Sequence, residues 1–133
     1  MPTSLVRGVL YIHARGFGFE SADDGGPEVF VLNPDLGPAM HGDRVEVEAR
    51  PSPKGREGRI VGIVERRRAR LVGAIHADYA RGKVFMPGDP RLPETMRILD
   101  EVPSGIDVGD AVVVELREFP QSRDDVPGVV VLE

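Results

Sequence analysis

The sequence predicts an all-β protein built as two consecutive five-stranded barrels. One set of landmarks occurs twice in the same order, the strand-like segments are short and divided by turns, and no long stretch repeats with a helical period. In the repeat, Arg7-Gly8-Val9-Leu10-Tyr11-Ile12-His13 answers to Val72-Gly73-Ala74-Ile75-His76, with the glycines 65 residues apart. Arg15, Gly16 and Phe19 answer to Arg81, Gly82 and Phe85 at an offset of 66. The segment from His41 to Val47 answers to Val108–Val114 at an offset of 67. The spacing divides the chain into residues 1–67 and 68–133, meeting at the basic run Arg66-Arg67-Arg68-Ala69-Arg70.

Taken in order, residues 5–13 read as the first strand, with Leu10 and Ile12 on one face and Val9, Tyr11 and His13 on the other. Residues 16–21 and 29–32 follow, separated by the turn-forming Asp23-Asp24-Gly25-Gly26-Pro27. Asn33-Pro34 has the form of a helix cap followed by a first-turn proline, which predicts a short helical turn reaching Met40. Val45 and Val47 alternate with charged neighbours as in a half-buried strand, and residues 59–64 close the unit. In the second copy, residues 83–86, 96–99, 111–116 and 129–132 are the later strands, and the proline-rich stretch 87–93 is a stiff loop. Five strands with a helical connection after the third match the Greek-key barrel of the OB-fold.

The chain's net charge of −5 is unevenly spread: residues 1–70 sum to +1 and residues 71–133 to −6. Local fields matter more to a polyanionic partner than the total. The absence of cysteine excludes disulfides and thiolate metal sites. No apolar run approaches the ~20 residues of a membrane span, and the N-terminus has no signal-peptide pattern, so a cytoplasmic location and no membrane partner are expected.

Aromatic residues make up 5% of the chain, yet Phe17, Phe19 and Phe30 fall within fourteen positions. Phe17 and Phe19 share a strand face, and Phe30 stands between two valines that suit a core, so all three are expected outside. Rings gathered on a surface suit the stacking of nucleic acid bases, and Tyr11 and His13 have the parity to extend the platform. Arg7, Arg15 and Arg44, with Arg66, Arg67 and Arg68 at the junction, are the candidate phosphate contacts. His13, His41 and His76 are too dispersed for a metal site and read as surface or hinge residues. Asp23-Asp24 and Asp124-Asp125 lie in turns, where carboxylates solubilise loops. No catalytic residues are expected in this chain.

Arg15-Gly16-Phe17-Gly18-Phe19 and Val29-Phe30-Val31 resemble the two ribonucleoprotein motifs of cold-shock domains. Residues 41–47 and 57–66 narrow the resemblance to the N-terminal cold-shock domains of ribonuclease II and ribonuclease R, in which a divergent second domain follows and often opens with a Val-Gly pair, here Val72-Gly73. The resemblance implies tandem OB domains that bind single-stranded RNA for a 3′→5′ exoribonuclease. Leu32 stands where single-domain cold-shock proteins usually have histidine, and the family's aspartate-rich catalytic domain has no counterpart here. The chain is therefore expected to be an excised fragment or a natural relic, with no cofactor of its own and magnesium needed only by a catalytic domain in cis. A stand-alone RNA-binding or chaperone protein, and a protein-interaction module, are the alternative readings.

Overall fold

The computed structural model describes residues 3–67 and 69–132, and Arg68, one of the candidate phosphate contacts, lies outside the described residues. The chain divides into two compact units between residues 67 and 68.

In the first unit, β1 (Ser4–Ile12), β2 (Gly18–Ala22), β3 (Val29–Val31), β4 (Arg44–Ser52) and β5 (Gly55–Glu65) close into a barrel in the order β1-β2-β3-β5-β4. β1 pairs antiparallel with both β2 and β4, and β3 lies parallel to β5. Two-residue alternation builds the core: Val6 and Leu10 of β1, Val29 and Val31 of β3, and Val45, Val47 and Ala49 of β4 all point inward. Leu36, from the connection after β3, packs against this cluster.

The second unit repeats the plan with β6 (Arg70–Asp78), β7 (Gly82–Pro87), β8 (Met96–Ile98), β9 (Ala111–Glu118) and β10 (Gly128–Val131), closed in the order β10-β8-β7-β6-β9. Two backbone details recur in both barrels. A Cβ on Gly8 would lie 2.1 Å from the Ser21 carbonyl oxygen, and one on Gly73 would lie 2.2 Å from that of Met86, so neither site admits a side chain. Gly42 and Gly109 turn at φ 88° and 96°, and their amides donate to the Leu10 and Ile75 carbonyls at 2.7 and 2.8 Å.

The structure corrects the sequence reading of the fold in three places. Phe85 is not the counterpart of Phe19: Ile75 pairs with Phe85 as Leu10 pairs with Glu20, so Phe85 holds an inward position and is fully buried. The hairpin tips keep the 65-residue spacing of the glycines, and alignment on Arg-Gly slips by one residue, which reverses the face. The expected helix is a single 3-10 turn, Asn33–Asp35, whose N-cap is Leu32, and Asn33 binds elsewhere. His41 is buried, not at the surface.

Candidate nucleic-acid interface

The β1–β2 connection is a tight loop. The Gly16 amide donates to the His13 carbonyl at 2.8 Å, and the His13 amide donates to the Phe17 carbonyl at 2.8 Å. The Asn33 side-chain amide donates to the Gly16 carbonyl at 2.8 Å, tying this loop to the chain beyond β3. Ile12 donates its amide to Nδ1 of the buried His41 at 3.0 Å, which fixes the end of β1. These bonds hold Phe17, just ahead of β2, beside the strands that carry the other rings.

Strand register does the rest. Tyr11 pairs with Phe19 across β1–β2, and Phe19 pairs with Phe30 across β2–β3, placing three rings in one row on the outside of the barrel. The Tyr11 and Phe19 rings lie 5.8 Å apart at 22°. Phe17 and Phe30 are 5.3 Å apart at 44°, and His13 stacks on Phe17 at 4.6 Å and 7°. Tyr11 and Phe30 remain 42% and 40% exposed, while Phe17 and Phe19 are half-buried by their neighbours. All five aromatic candidates are thus brought together, and none joins the core. Exposed apolar surface of this kind marks a contact site.

The arginines divide. Arg15 is exposed at the tip of the β1–β2 loop, with no side-chain partner among the described residues. Arg7 is paired with Glu46 at 3.0 Å, and Arg44 is paired with Asp23. Arg66 is structural: its guanidinium donates to the buried Asp43 carboxylate at 2.9 Å and to the Pro38 carbonyl at 2.9 Å. The same carboxylate accepts the Met40 amide at 2.8 Å and the Arg67 amide at 3.0 Å. Arg66 is therefore corrected from phosphate ligand to part of the Asp43 turn, because a buried carboxylate needs its counter-charge.

Lys54, at the exposed tip of the β4–β5 hairpin, did not stand out in the sequence. It borders a cleft of about 550 Å³ shared with Phe19, Phe30, Arg56 and Glu57. Arg56 clasps the β2–β3 loop, donating to both Asp24 carboxylate oxygens at 2.8 and 3.0 Å and to the Pro27 carbonyl. That hydrogen bonding and the Gly26 amide hold the Asp24 carboxyl down at about 2. Clusters of three or more His, Asp or Glu placed to hold a metal are absent among the described residues. Asp125 accepts the Gln121 and Val126 amides at 3.0 and 2.9 Å, which accounts for that carboxylate as a loop constraint.

In the second barrel, the register positions of Tyr11, Phe19 and Phe30 are taken by His76, Val84 and Arg97. Arg97 donates to Glu118 and to the Val126 carbonyl, and the aromatic row is not repeated.

Residues 8–63 match the family model of the ribonuclease B OB domain. The chain carries an OB domain of the ribonuclease II and R family. Ribonuclease R of Acidithiobacillus ferrooxidans is 32% identical over 96% of the chain, which spans 30% of that relative. The structure of Mycoplasma genitalium ribonuclease R in complex with ribose-methylated single-stranded RNA superimposes with a TM-score of 0.75 at 18% identity, covering 96% of this chain and 21% of that one. A yeast pseudonuclease gives a TM-score of 0.71 at 16% identity, over 97% of this chain and 22% of the other. At those identities the two structures establish the shared fold of two barrels. No helix of the described residues is long and apolar enough to cross a membrane.

Proposed function

We propose that the chain binds single-stranded RNA on the outer face of its first barrel, as the RNA-recruiting N-terminal part of a cytoplasmic ribonuclease II/R-type 3′→5′ exoribonuclease. The observation that carries this reading is the continuous aromatic surface of Tyr11, His13, Phe17, Phe19 and Phe30 outside the core. Bases laid on those rings trade stacking within the strand for stacking on protein, which any sequence can do. Arg15 and Lys54 stand at two edges of the surface to meet the backbone between stacked bases. Among the described residues the second barrel does not repeat that surface, and magnesium and hydrolysis belong to a catalytic domain in cis. That Mycoplasma genitalium ribonuclease R forms a complex with ribose-methylated single-stranded RNA supports the choice of ligand.

The test is a titration of the chain with short single-stranded RNA. Alanine at Phe30 or Phe17 should weaken binding by roughly 1–3 kcal/mol, with little change in salt dependence. Duplex RNA should bind less well, because pairing covers its base faces. Folded Phe17→Ala and Phe30→Ala variants that bind as well as the parent would overturn the reading in favour of a protein-interaction face.

A further inference from the structure

Phe30 is flanked by two clefts, and Glu57 lines both. The larger, about 550 Å³, opens over Phe19 and Phe30 toward Lys54. The smaller, about 200 Å³, runs from Phe30 past Leu32 to Arg50 and Arg59. Register explains the placement: Phe30 pairs with Glu57 across β3–β5, and Glu57 pairs with Arg50 across β4–β5. The row of rings therefore runs on into an ion pair. Arg50 donates through Nε at 3.1 Å and Nη2 at 2.8 Å, and both bonds fall on Glu57 Oε1. Oε2 has no partner among the described residues, and the side chain is 42% exposed.

We propose that Glu57 reads the edge of the base stacked on Phe30 and selects guanine. The proposal rests on the stacking reading above and gives that platform a specificity. An ionised carboxylate only accepts hydrogen bonds. Guanine presents two adjacent donors on its Watson–Crick edge, N1–H and the exocyclic amino group, which the two lone pairs of Oε2 can receive, both of Oε1 being engaged by Arg50. Adenine and cytosine set a ring acceptor beside their amino group, and uracil flanks its one N–H with two carbonyls. Each of these faces the carboxylate with at least one oxygen or nitrogen lone pair. Arg50 supplies the counter-charge that keeps Glu57 ionised and oriented on a surface meant for a polyanion. Lys54, across the larger cleft, is placed for the adjoining phosphate.

The experiment compares oligouridine with the same strand carrying one central guanosine, adenosine or inosine, by fluorescence anisotropy on the whole chain. The guanosine strand should bind roughly tenfold tighter than the adenosine strand, a bidentate edge contact against its mismatch. Inosine, which lacks the amino group, should fall between them, an arm that needs no variant. Glu57→Gln, which offers one acceptor and one donor, should erase the difference between the guanosine and adenosine strands. Equal affinity for guanosine and adenosine in the parent would overturn the proposal, as would a uniform strengthening of all four strands by Glu57→Gln, the signature of mere phosphate repulsion. Binding without discrimination removes the edge reading alone, whereas failure of every strand to bind removes the stacking reading with it.

Discussion

At position 20 a carboxylic acid points into a barrel whose clustered core side chains are apolar. Glu20 is fully buried, and neither carboxyl oxygen has a hydrogen-bond partner among the described residues. The parity that sends Phe17 and Phe19 outward sends Glu20 inward, and the second barrel puts Phe85 at the same place. Burial raises the Glu20 carboxyl from 4.5 to about 7, opposed chiefly by Arg56. Between those pH values the folded protein holds a proton that the unfolded chain has released. Its contribution to stability is therefore intact below pH 4.5 and is lost as pH rises through 7, a fall of roughly 3 kcal/mol. Asp24 acts in the opposite sense, supporting the fold above its ordinary 3.8 and losing that support as pH falls through about 2, clear of this window. Glu20→Leu should raise stability most at pH 8 and flatten the profile between pH 5 and 8. Urea unfolding of parent and variant across that range checks it, and parallel profiles would show that Glu20 is not the group responsible.

Between the helical turn and β4, the Gly42-Asp43 turn shows what the sequence made legible and what it hid. The repeat with Gly109-Asp110 could be read from the residues, and the structure gives both turns the same bonds: Asp43 accepts the Met40 amide and Asp110 accepts the Asp107 amide, at 2.8 and 2.9 Å. That Arg66 serves this turn could not be read, because its partner lies 23 residues away and only the barrel's closure brings them together. Glu57 and Arg50 were hidden for the same reason, since pairing across β4–β5 makes their bond. The outward rings were legible because two-residue parity within a strand needs no partner. Phe85 was misread because the sequence does not announce which residues pair at a hairpin tip. Arg66→Ala should accordingly lower folding stability by about 1–3 kcal/mol, through the partly orphaned Asp43, and leave the salt dependence of RNA binding unchanged. Phe85→Ala should cost about 3–5 kcal/mol of stability in the second barrel without weakening the contact between RNA and the rings. Thermal unfolding beside RNA titration separates the two effects in each variant, and a shallower salt slope in Arg66→Ala would return that residue to the binding face.

Charge across the whole chain sets what kind of binding to expect. Residues 1–67 sum to −1 and residues 68–133 to −4, so the unit bearing the rings is close to neutral and the other repels a polyanion. Arg7 and Arg44 are engaged in ion pairs, and Arg15 and Lys54 border the rings without an ion-pair partner among the described residues. Each phosphate contact on a single strand contributes about 0.7 to the slope of log affinity against log salt, so two contacts give a slope of magnitude about 1.4. Affinity should thus be modest and survive salt comparatively well, with stacking as its larger part. Arg15→Ala and Lys54→Ala should each reduce the slope by about 0.7, whereas Phe30→Ala should lower affinity at every salt concentration by a similar factor. The same inventory bears on chemistry. Two-metal hydrolysis requires clustered carboxylates, and Asp125 spends its oxygens on backbone amides. The chain with added magnesium should therefore bind end-labelled RNA and leave its length unchanged. Divalent-dependent shortening that disappears in Asp124→Asn/Asp125→Asn would show that this loop is a catalytic site and not a structural one.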